Sequence, residues 1–198
     1  MLVFSKAKLV LLSVPKTGTT AIEAALAPQA AIAVLEPPDL KHAPLYRYNR
    51  YFRPMVDKFV GDVDIAAVIR EPVSWLGSWY RYRGRPFLDG SPQSTRGLSF
   101  EDFVNGYLAE PREVFANVGS QAKFVEPRPN GTAVTHFFRY EEMQTFLRFL
   151  EQRLGQTVEL PRLNVSPPAD LTLSLENEAR LRATCAADFA LWDSIAPE

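Results

Sequence analysis

The chain has 198 residues, of which 46% are hydrophobic and 23% are charged, a composition typical of a folded globular protein. Its formal net charge of −1 gives no overall attraction to nucleic acid or to an anionic membrane, and no nucleic-acid motif is present. One cysteine and two histidines exclude an internal disulfide and a Cys-rich metal site, and they argue against a multi-His metal site. Any anion site must therefore be built locally.

Strand-like and helix-like segments alternate along the chain, which predicts an α/β fold with a central parallel sheet flanked by helices. The predicted strands are 8–14, 30–35, 63–69 and 133–138. The predicted helices are 18–26, 44–59 with a break or kink at Pro54, 72–82, one that begins at Ser99, 141–154 and 175–191. Segment 83–97, rich in Gly, Pro and Ser, predicts a mobile surface loop. We expect residues 1–198 to form a single domain, because neither a repeat nor a linker is visible.

The N-terminal segment shows no targeting signal. Residues 1–16 lack an uninterrupted apolar stretch and a small-residue cleavage site, so we interpret them as mature structure. No segment approaches the roughly 18 consecutive apolar residues of a membrane-spanning helix. We therefore expect a cytoplasmic chain with neither a membrane nor a nucleic acid as partner.

The stretch LVLLSVPKTGTTAIEAAL (9–26) has the pattern of a strand, a short loop and a helix. The first N–H groups of a helix lack intrahelical partners and the dipole is positive there, so an anion is stabilised. Gly18 would let the backbone approach the anion closely, the threonines would add hydroxyl donors, and Lys16 would add a positive charge. The alternative is a tight strand–helix turn with a surface lysine. The candidate anion-binding residues are Lys16, Thr17, Gly18, Thr19 and Thr20.

The loop differs from that of the nucleotide triphosphatases. Their Walker A loop reads G-x-x-x-x-G-K-[ST], with Mg²⁺ held by the Ser/Thr and by an acidic residue at a strand end. Here Lys16 precedes Gly18, and Arg70 follows the third predicted strand where that acidic residue would stand. Asp62 and Asp64 lie at the other end of the strand. The pattern therefore favours a metal-free, strongly anionic ligand.

A second motif, IREPVSWLGSWYRYR (69–83), follows the third predicted strand. Arg70 leaves the strand, Pro72 opens the helix, and Ser78 lies eight residues after Arg70. An arginine fork and a serine hydroxyl in this arrangement can converge on one phosphate. The alternative is a helix that merely exposes its polar face.

Together, VPKTGTT and the Arg70-x7-Ser78 pattern resemble the sulfotransferases that use 3′-phosphoadenosine 5′-phosphosulfate (PAPS). Looser similarity continues along the chain to residue 192. FFRYEEM (137–143) resembles the family's RYE strand end and RLNVS (162–166) its Pro/Asn/Ser loop. KHAPLYRY (41–48) and CAADFALWDSI (185–195) are similar to the Lys-His element and closing helix of Golgi-type carbohydrate sulfotransferases and their bacterial relatives.

The resemblance implies a P-loop-NTPase-like fold, one sulfotransferase-like domain over 1–198, and transfer of a sulfuryl group from PAPS to a hydroxyl or amine without a metal. It assigns the 5′-phosphosulfate to Lys16, Thr17, Gly18, Thr19 and Thr20, and the 3′-phosphate to Arg70 and Ser78. The basic Arg-Lys-Gly loop of small-molecule sulfotransferases has no clear counterpart here. Its place over the 3′-phosphate could be taken by Arg83, Arg85, Arg96 or Arg162.

The expected chemistry needs charge stabilisation on the leaving group and a base for the acceptor. Lys16 would offset the charge on the leaving 5′-phosphate, and His42, whose imidazole titrates near neutral pH, is the candidate base. The alternative for His42 is a surface histidine. Glu36 and Glu71 are second candidates, although Glu71 fits the N-terminus of the helix after it better. His136, within VTHFF, is interpreted as a core or strand histidine.

Two segments mix aromatic and basic residues, YRYNRYFRP (46–54) and WYRYRGRPF (79–87). Such surfaces stack on rings and bind hydroxyls or sulfates, which fits a glycan or small-molecule acceptor; the alternative is core aromatics with solvated arginines. Two other functions stay open for the whole chain. One is a P-loop kinase or NTPase, and the other is a non-catalytic nucleotide-binding module.

Overall fold

The computed structural model describes residues 1–161, 163 and 168–196. It confirms the α/β class. The contacts within the chain define two compact units, each of which is described by itself. The first contains 1–70 with the described parts of 121–164 and 194–198, and the second contains 71–120 with the described part of 165–193.

The first unit contains a five-stranded sheet in the order β3-β1-β2-β4-β5. Its strands are β1 (Leu2–Phe4), β2 (Leu9–Leu11), β3 (Ile32–Ala33), β4 (Asp64–Ile69) and β5 (His136–Arg139). The pairs β2–β4 and β4–β5 are parallel, whereas β1 is antiparallel to both β2 and β3. The expected parallel sheet is thus corrected to a mixed, largely parallel one.

Strand β1, which the sequence analysis missed, explains the mixed sheet. It pairs with β2 in the register Leu2↔Leu11 and Phe4↔Leu9. The connection is a short turn in which the Lys8 N–H donates to the Ser5 carbonyl at 3.3 Å. So short a connection permits an antiparallel pair, because a parallel pair needs a long crossover.

Four of the six predicted helices are present near their predicted bounds, and the short helices at Pro38–Lys41 and Gln121–Phe124 were not predicted. The described helices are α1 (Thr19–Leu26), α2 (Pro38–Lys41), α3 (Leu45–Arg47), α4 (Arg53–Phe59), α5 (Pro72–Arg83), α6 (Phe100–Leu108), α7 (Gln121–Phe124), α8 (Met143–Leu154), α9 (Leu175–Thr184) and α10 (Ala186–Asp193). Helix α5 begins at Pro72 as predicted, and Ser99 caps α6 with Asp102 as its capping-box partner. None of the described helices is long and apolar enough to cross a membrane.

Two predicted helices are interrupted. The helix expected over 44–59 consists of α3, a π-helical turn at Tyr48–Phe52 and α4. Pro54 lies in the first turn of α4, where its missing N–H costs little. The helix expected over 175–191 is divided at Cys185 into α9 and α10.

Helices α1 and α8 cover one face of the sheet in the first unit. The alternating strand residues of this face, which strand geometry turns to the same side, are Leu2, Phe4, Leu9, Leu11, Ala66 and Val68. They pack with Ile22 and Leu26 of α1 and with Phe146 and Leu150 of α8, all at most 4% exposed. This packing holds α1 against the sheet, so the loop between β2 and α1 is fixed at both of its ends. Because β2, β4 and β5 are parallel, the residues that follow them lie at one edge of the sheet, where ligands of such sheets bind.

The second unit is helical, with a core built from α5, α6, α9 and α10. The core residues include Trp75, Leu76, Phe100, Phe103, Leu181 and Phe189. Side chains cap the N-termini of α5, α6 and α9: the Glu71 carboxylate accepts from the Ser74 N–H at 2.7 Å, which confirms its expected place at the start of α5. Glu101 of α6 accepts from the backbone N–H and the hydroxyl of Ser174, at 2.8 and 2.6 Å, and ties α9 to α6.

Candidate anion-binding site

The loop between β2 and α1 has the backbone geometry of an anion cradle. Lys16 and Gly18 have positive φ angles of 69° and 80°, and Thr17 between them does not. Such alternation turns successive backbone N–H groups toward one concavity. Gly18 is the N-cap of α1 and supplies no side-chain cap, so that the positive end of the helix adds to the cradle.

The threonines of the loop differ in what their side chains do. The Thr17 hydroxyl donates to the Val14 carbonyl at 2.8 Å and the residue is 1% exposed, so this side chain braces the loop. The Thr17 hydroxyl, which was expected to be a donor to the anion, is thus used within the loop, and the backbone N–H is the donor that this residue could still offer. Thr19 is also buried, whereas Thr20 is exposed. Thr20 is therefore the threonine of this loop whose side chain faces solvent.

Arg70 lies beside this loop, as its position after β4 predicts. Its Nη1 donates to the Lys16 carbonyl at 3.2 Å, and its Cζ lies 4.3 Å from the centre of the Tyr140 ring. The backbone of Arg70 is held as well: its N–H donates to Gln121 Oε1 at 2.9 Å, and its carbonyl accepts from Gln121 Nε2 at 2.7 Å. Gln121 is 1% exposed. These contacts hold the guanidinium at the loop.

His42 also meets the loop segment. It caps the C-terminus of α2, and its Nδ1 lies 2.7 Å from the Ser13 carbonyl oxygen. A carbonyl only accepts, so Nδ1 must carry the proton and Nε2 the lone pair. Burial lowers the pKa of His42 below its ordinary 6.5; the hydrogen bond to Ser13 opposes this shift and the charge of Lys41 adds to it. The imidazole is thus a neutral proton acceptor near pH 7.

The remaining candidate residues are Ser78, His136 and Glu36. Ser78 belongs to the second unit, where it is 6% exposed in the middle of α5, and its role beside Arg70 stays a prediction. His136 begins β5, as expected of a strand histidine, although it is half-buried rather than in the core. Its Nε2 is 3.6 Å from Asp64 Oδ2, at the start of β4 and away from the loop edge. Glu36 is exposed.

The arginines considered as a cover for the 3′-phosphate have varied surroundings. Arg83 is 7% exposed and donates to the carbonyls of Val114 and Asn117 at 2.8 and 3.0 Å, so it supports the second unit instead of a mobile cover. Arg96 forms an ion pair with Asp89.

The Cζ of the third candidate, Arg85, lies 5.3 Å from the centre of the Tyr82 ring. Arg162 and most of the RLNVS stretch lie outside the described residues.

Both interpretations of segment 46–54 hold for part of it. Tyr48 is a core residue at 1% exposure, and its neighbours Tyr46 and Tyr51 are exposed by 44% and 63%. The exposed rings carry arginines beside them, with Arg47 Cζ 5.7 Å from the Tyr46 ring and Arg50 Cζ 5.3 Å from the Tyr51 ring. Two exposed aromatic rings with neighbouring arginines are therefore present in this segment, and their role in binding an acceptor stays a prediction.

Comparison of the chain with protein-family models, with curated proteins and with solved structures found no match. The resemblance to the PAPS-dependent enzymes thus rests on the sequence motifs alone. Within 1–161, 163 and 168–196, no group of three or more His, Cys, Asp or Glu side chains is placed to hold a metal ion.

The positive φ of Lys16 gives a stability test. A side chain in this conformation costs about 1–2 kcal/mol, and glycine avoids that cost at the expense of about 0.5–1 kcal/mol of chain entropy. We expect Lys16→Gly to have a free energy of unfolding roughly 0.5–1 kcal/mol above that of Lys16→Ala in urea denaturation. Lys8, with φ of 51°, provides the matched pair Lys8→Gly and Lys8→Ala. A Lys16→Gly protein less stable than Lys16→Ala would contradict the strained loop.

Proposed function

We propose that the chain is a sulfotransferase that moves a sulfuryl group from PAPS to a hydroxyl or amine of a small molecule or glycan. One observation carries the proposal: two charged or titratable side chains from distant parts of the sequence contact the backbone of one loop. Arg70 donates to the Lys16 carbonyl, and His42 pairs with the Ser13 carbonyl three positions earlier. A phosphate cradle, a cation and a neutral base are thereby joined within the first unit.

The loop has the features that a phosphosulfate requires. The N–H groups at the start of α1 and the Lys16 ammonium are donors suited to the phosphosulfate, and the Arg70 guanidinium is the donor that the resemblance assigns to the 3′-phosphate. A Cβ on Gly18 would lie 3.5 Å from Tyr140 Cε2, an ordinary contact, so glycine is favoured there by its φ of 80° rather than by lack of space. When bound, PAPS would supply the sulfuryl group and leave as adenosine 3′,5′-bisphosphate.

Two residues have chemical roles in this proposal. Lys16 offsets the negative charge that grows on the leaving 5′-phosphate. His42 Nε2 receives the proton that the acceptor hydroxyl or amine loses when it is sulfated. Because Nδ1 is bound to the Ser13 carbonyl, the imidazole has one nitrogen available for this proton, and its lowered pKa keeps that nitrogen unprotonated near neutral pH.

The residue that follows β4 argues against the NTPase alternative. An NTPase places an acidic residue at the end of the strand beside its phosphate loop. Here β4 ends in Ile69 and is followed by Arg70, whose guanidinium contacts the loop. Asp64 begins the same strand and is paired with Arg153 at 2.7 Å. A cation at this position suits a ligand whose phosphates are not shared with Mg²⁺.

The test is a transfer assay with ³⁵S-labelled PAPS and a panel of sugars, phenols, alcohols and amines. We expect labelled product from at least one acceptor, with one adenosine 3′,5′-bisphosphate released per product, and we expect Lys16→Ala to abolish it while Lys8→Ala does not. Tight bisphosphate binding with no labelled product from any acceptor would indicate the non-catalytic module instead. Hydrolysis of ATP·Mg²⁺ would indicate the NTPase.

A further inference from the structure

A buried carboxylate lies behind the loop and was not singled out by the sequence. Glu23, in the second turn of α1, is 6% exposed. Its Oε1 accepts from the Ser13 hydroxyl at 2.8 Å, and its Oε2 pairs with the Lys41 ammonium at 2.5 Å. The Lys41 side chain is itself 15% exposed. Two charges removed from water in this way are tolerated because each satisfies the other.

Two of the partners of Glu23, Ser13 and Lys41, are attached to His42; the third is the Met1 amino group, 3.7 Å from Glu23 Oε1. Ser13, whose hydroxyl binds Glu23, offers its carbonyl to His42 Nδ1. Lys41, whose ammonium binds Glu23, is the residue before His42. The Met1 amino group adds hydrogen bonds to Ser13 Oγ at 2.6 Å and to the Lys41 carbonyl at 3.3 Å. The Glu23 carboxylate thus holds Ser13, whose carbonyl accepts the Nδ1 proton of His42, and Lys41, the residue next to His42 in the backbone.

We propose that Glu23 and Lys41 are positioning residues for His42, holding Nδ1 as a donor to the Ser13 carbonyl so that Nε2 keeps its lone pair. The catalytic meaning of this arrangement rests on the proposed function, in which Nε2 receives the acceptor's proton. Glu23 belongs to α1, the helix whose N-terminus forms the anion cradle. Base and cradle are consequently parts of one hydrogen-bonded unit, and their spacing is set by the same helix.

The charges around His42 predict that its pKa shifts in opposite directions when Glu23 and Lys41 are neutralised. A general loss of packing would not produce shifts of opposite sign. The groups that face it are the Ser13 carbonyl, the Glu23 carboxylate, the Lys41 ammonium and the Met1 amino group. Glu23 favours the protonated ring, whereas Lys41 and the Met1 amino group disfavour it. Removing the Glu23 charge should therefore lower the pKa of His42 further, and removing the Lys41 charge should raise it.

The experiment is a pH titration of the two imidazoles by long-range ¹H–¹⁵N NMR on the ¹⁵N-labelled full chain, with His136→Gln used to assign the signals. We expect the Nδ1–H tautomer for His42 in the wild type. Glu23→Gln should move its titration to lower pH, Lys41→Met to higher pH, and the double variant back toward the wild-type midpoint. His136, paired with Asp64 at the opposite ends of the parallel strands from the loop, is the internal control, and its signals should be the same in all variants.

Shifts of the same sign in the two single variants, an unchanged midpoint, or an Nε2–H tautomer would overturn the proposal. If Glu23→Gln does not fold, the neutral double variant and Lys41→Met still test it: the midpoint must be higher in Lys41→Met than in the double variant. The readout needs neither PAPS nor an acceptor. Failure of the sulfotransferase assay therefore leaves this result intact, and failure of the titration leaves the transfer reaction intact.

Discussion

Replacing His42 by alanine is expected to lower kcat for sulfuryl transfer by about 10²–10⁴-fold, the usual contribution of a general base. The affinity for adenosine 3′,5′-bisphosphate should stay unchanged, because the imidazole contacts the Ser13 carbonyl on the loop backbone and is not a phosphate ligand in the proposal. The measurement is kcat from the transfer assay together with the bisphosphate Kd for the same variant. A His42→Ala enzyme with full kcat would remove His42 from the role of base.

The control for this change is His136→Ala, which removes the other histidine of the chain. His136 lies beside Asp64 at the start of β4 and β5, and we expect its loss to leave kcat nearly unchanged, because the loop lies at the other ends of the parallel strands. Equal losses in the two variants would indicate general damage to the sheet.

The lowered pKa of His42 predicts how the free energy of unfolding changes with pH. Its pKa in the folded protein is below 6.5, so the unfolded chain takes up this proton first as the pH falls. The stability that the folded chain gains by keeping His42 neutral is therefore fully present above about pH 6.5. It is lost as the pH falls through the folded-state pKa. Urea denaturation of His42→Gln should show a shallower loss of stability below that pH than the wild type. An identical pH profile would contradict the lowered pKa.

Replacing Arg70 by alanine is expected to weaken binding of adenosine 3′,5′-bisphosphate roughly 10- to 150-fold. The change removes a charged hydrogen-bond donor held at the cradle by the Tyr140 ring and the Lys16 carbonyl, and such a contact is worth about 1.5–3 kcal/mol. Calorimetric titration of wild type and variant gives the ratio directly. Arg70→Lys should fall between them, because an ammonium keeps the charge and loses the planar fork.

Arg112 provides a matched control in the second unit. Its Cζ lies 3.9 Å from the centre of the Tyr107 ring, and its Nη1 donates to the Gly119 carbonyl at 2.9 Å. Arg112→Ala thus removes the same two kinds of contact as Arg70→Ala, from a residue with no expected ligand role. Bisphosphate affinity should be retained in Arg112→Ala. Equal weakening in both variants would show that Arg70 acts on stability rather than on the anion.

The parts of the molecule that depend on local pattern could be predicted from the sequence. Strand β2, the loop and α1 follow from an apolar run, a Lys-Thr-Gly turn and a helical repeat, all contiguous. Arg70 at the end of β4, Pro72 at the start of α5 and Ser99 as a cap follow from positions next to recognisable elements. These features need no knowledge of which distant residues meet.

What the sequence did not reveal depends on long-range contacts. Gln121, which holds the Arg70 backbone, is 51 positions away, and nothing in its own short helix marks it. Glu23 looks like an ordinary polar residue of an amphipathic helix until Ser13 and Lys41 are brought to it. Tyr140 was noted as part of a motif, but its stacking under Arg70 requires that β4 and β5 be neighbours. Strand β1 was missed because its three residues are too few to show a period.

Calorimetric titration of the wild-type chain with adenosine 3′,5′-bisphosphate and, separately, with ATP·Mg²⁺ distinguishes the sulfotransferase from the NTPase. We predict one site that binds the bisphosphate and prefers it clearly over ATP·Mg²⁺, because the loop carries Lys16, and Arg70 stands directly after β4 where an NTPase has its acidic residue. Absence of bisphosphate binding, or a clear preference for ATP·Mg²⁺, would contradict it.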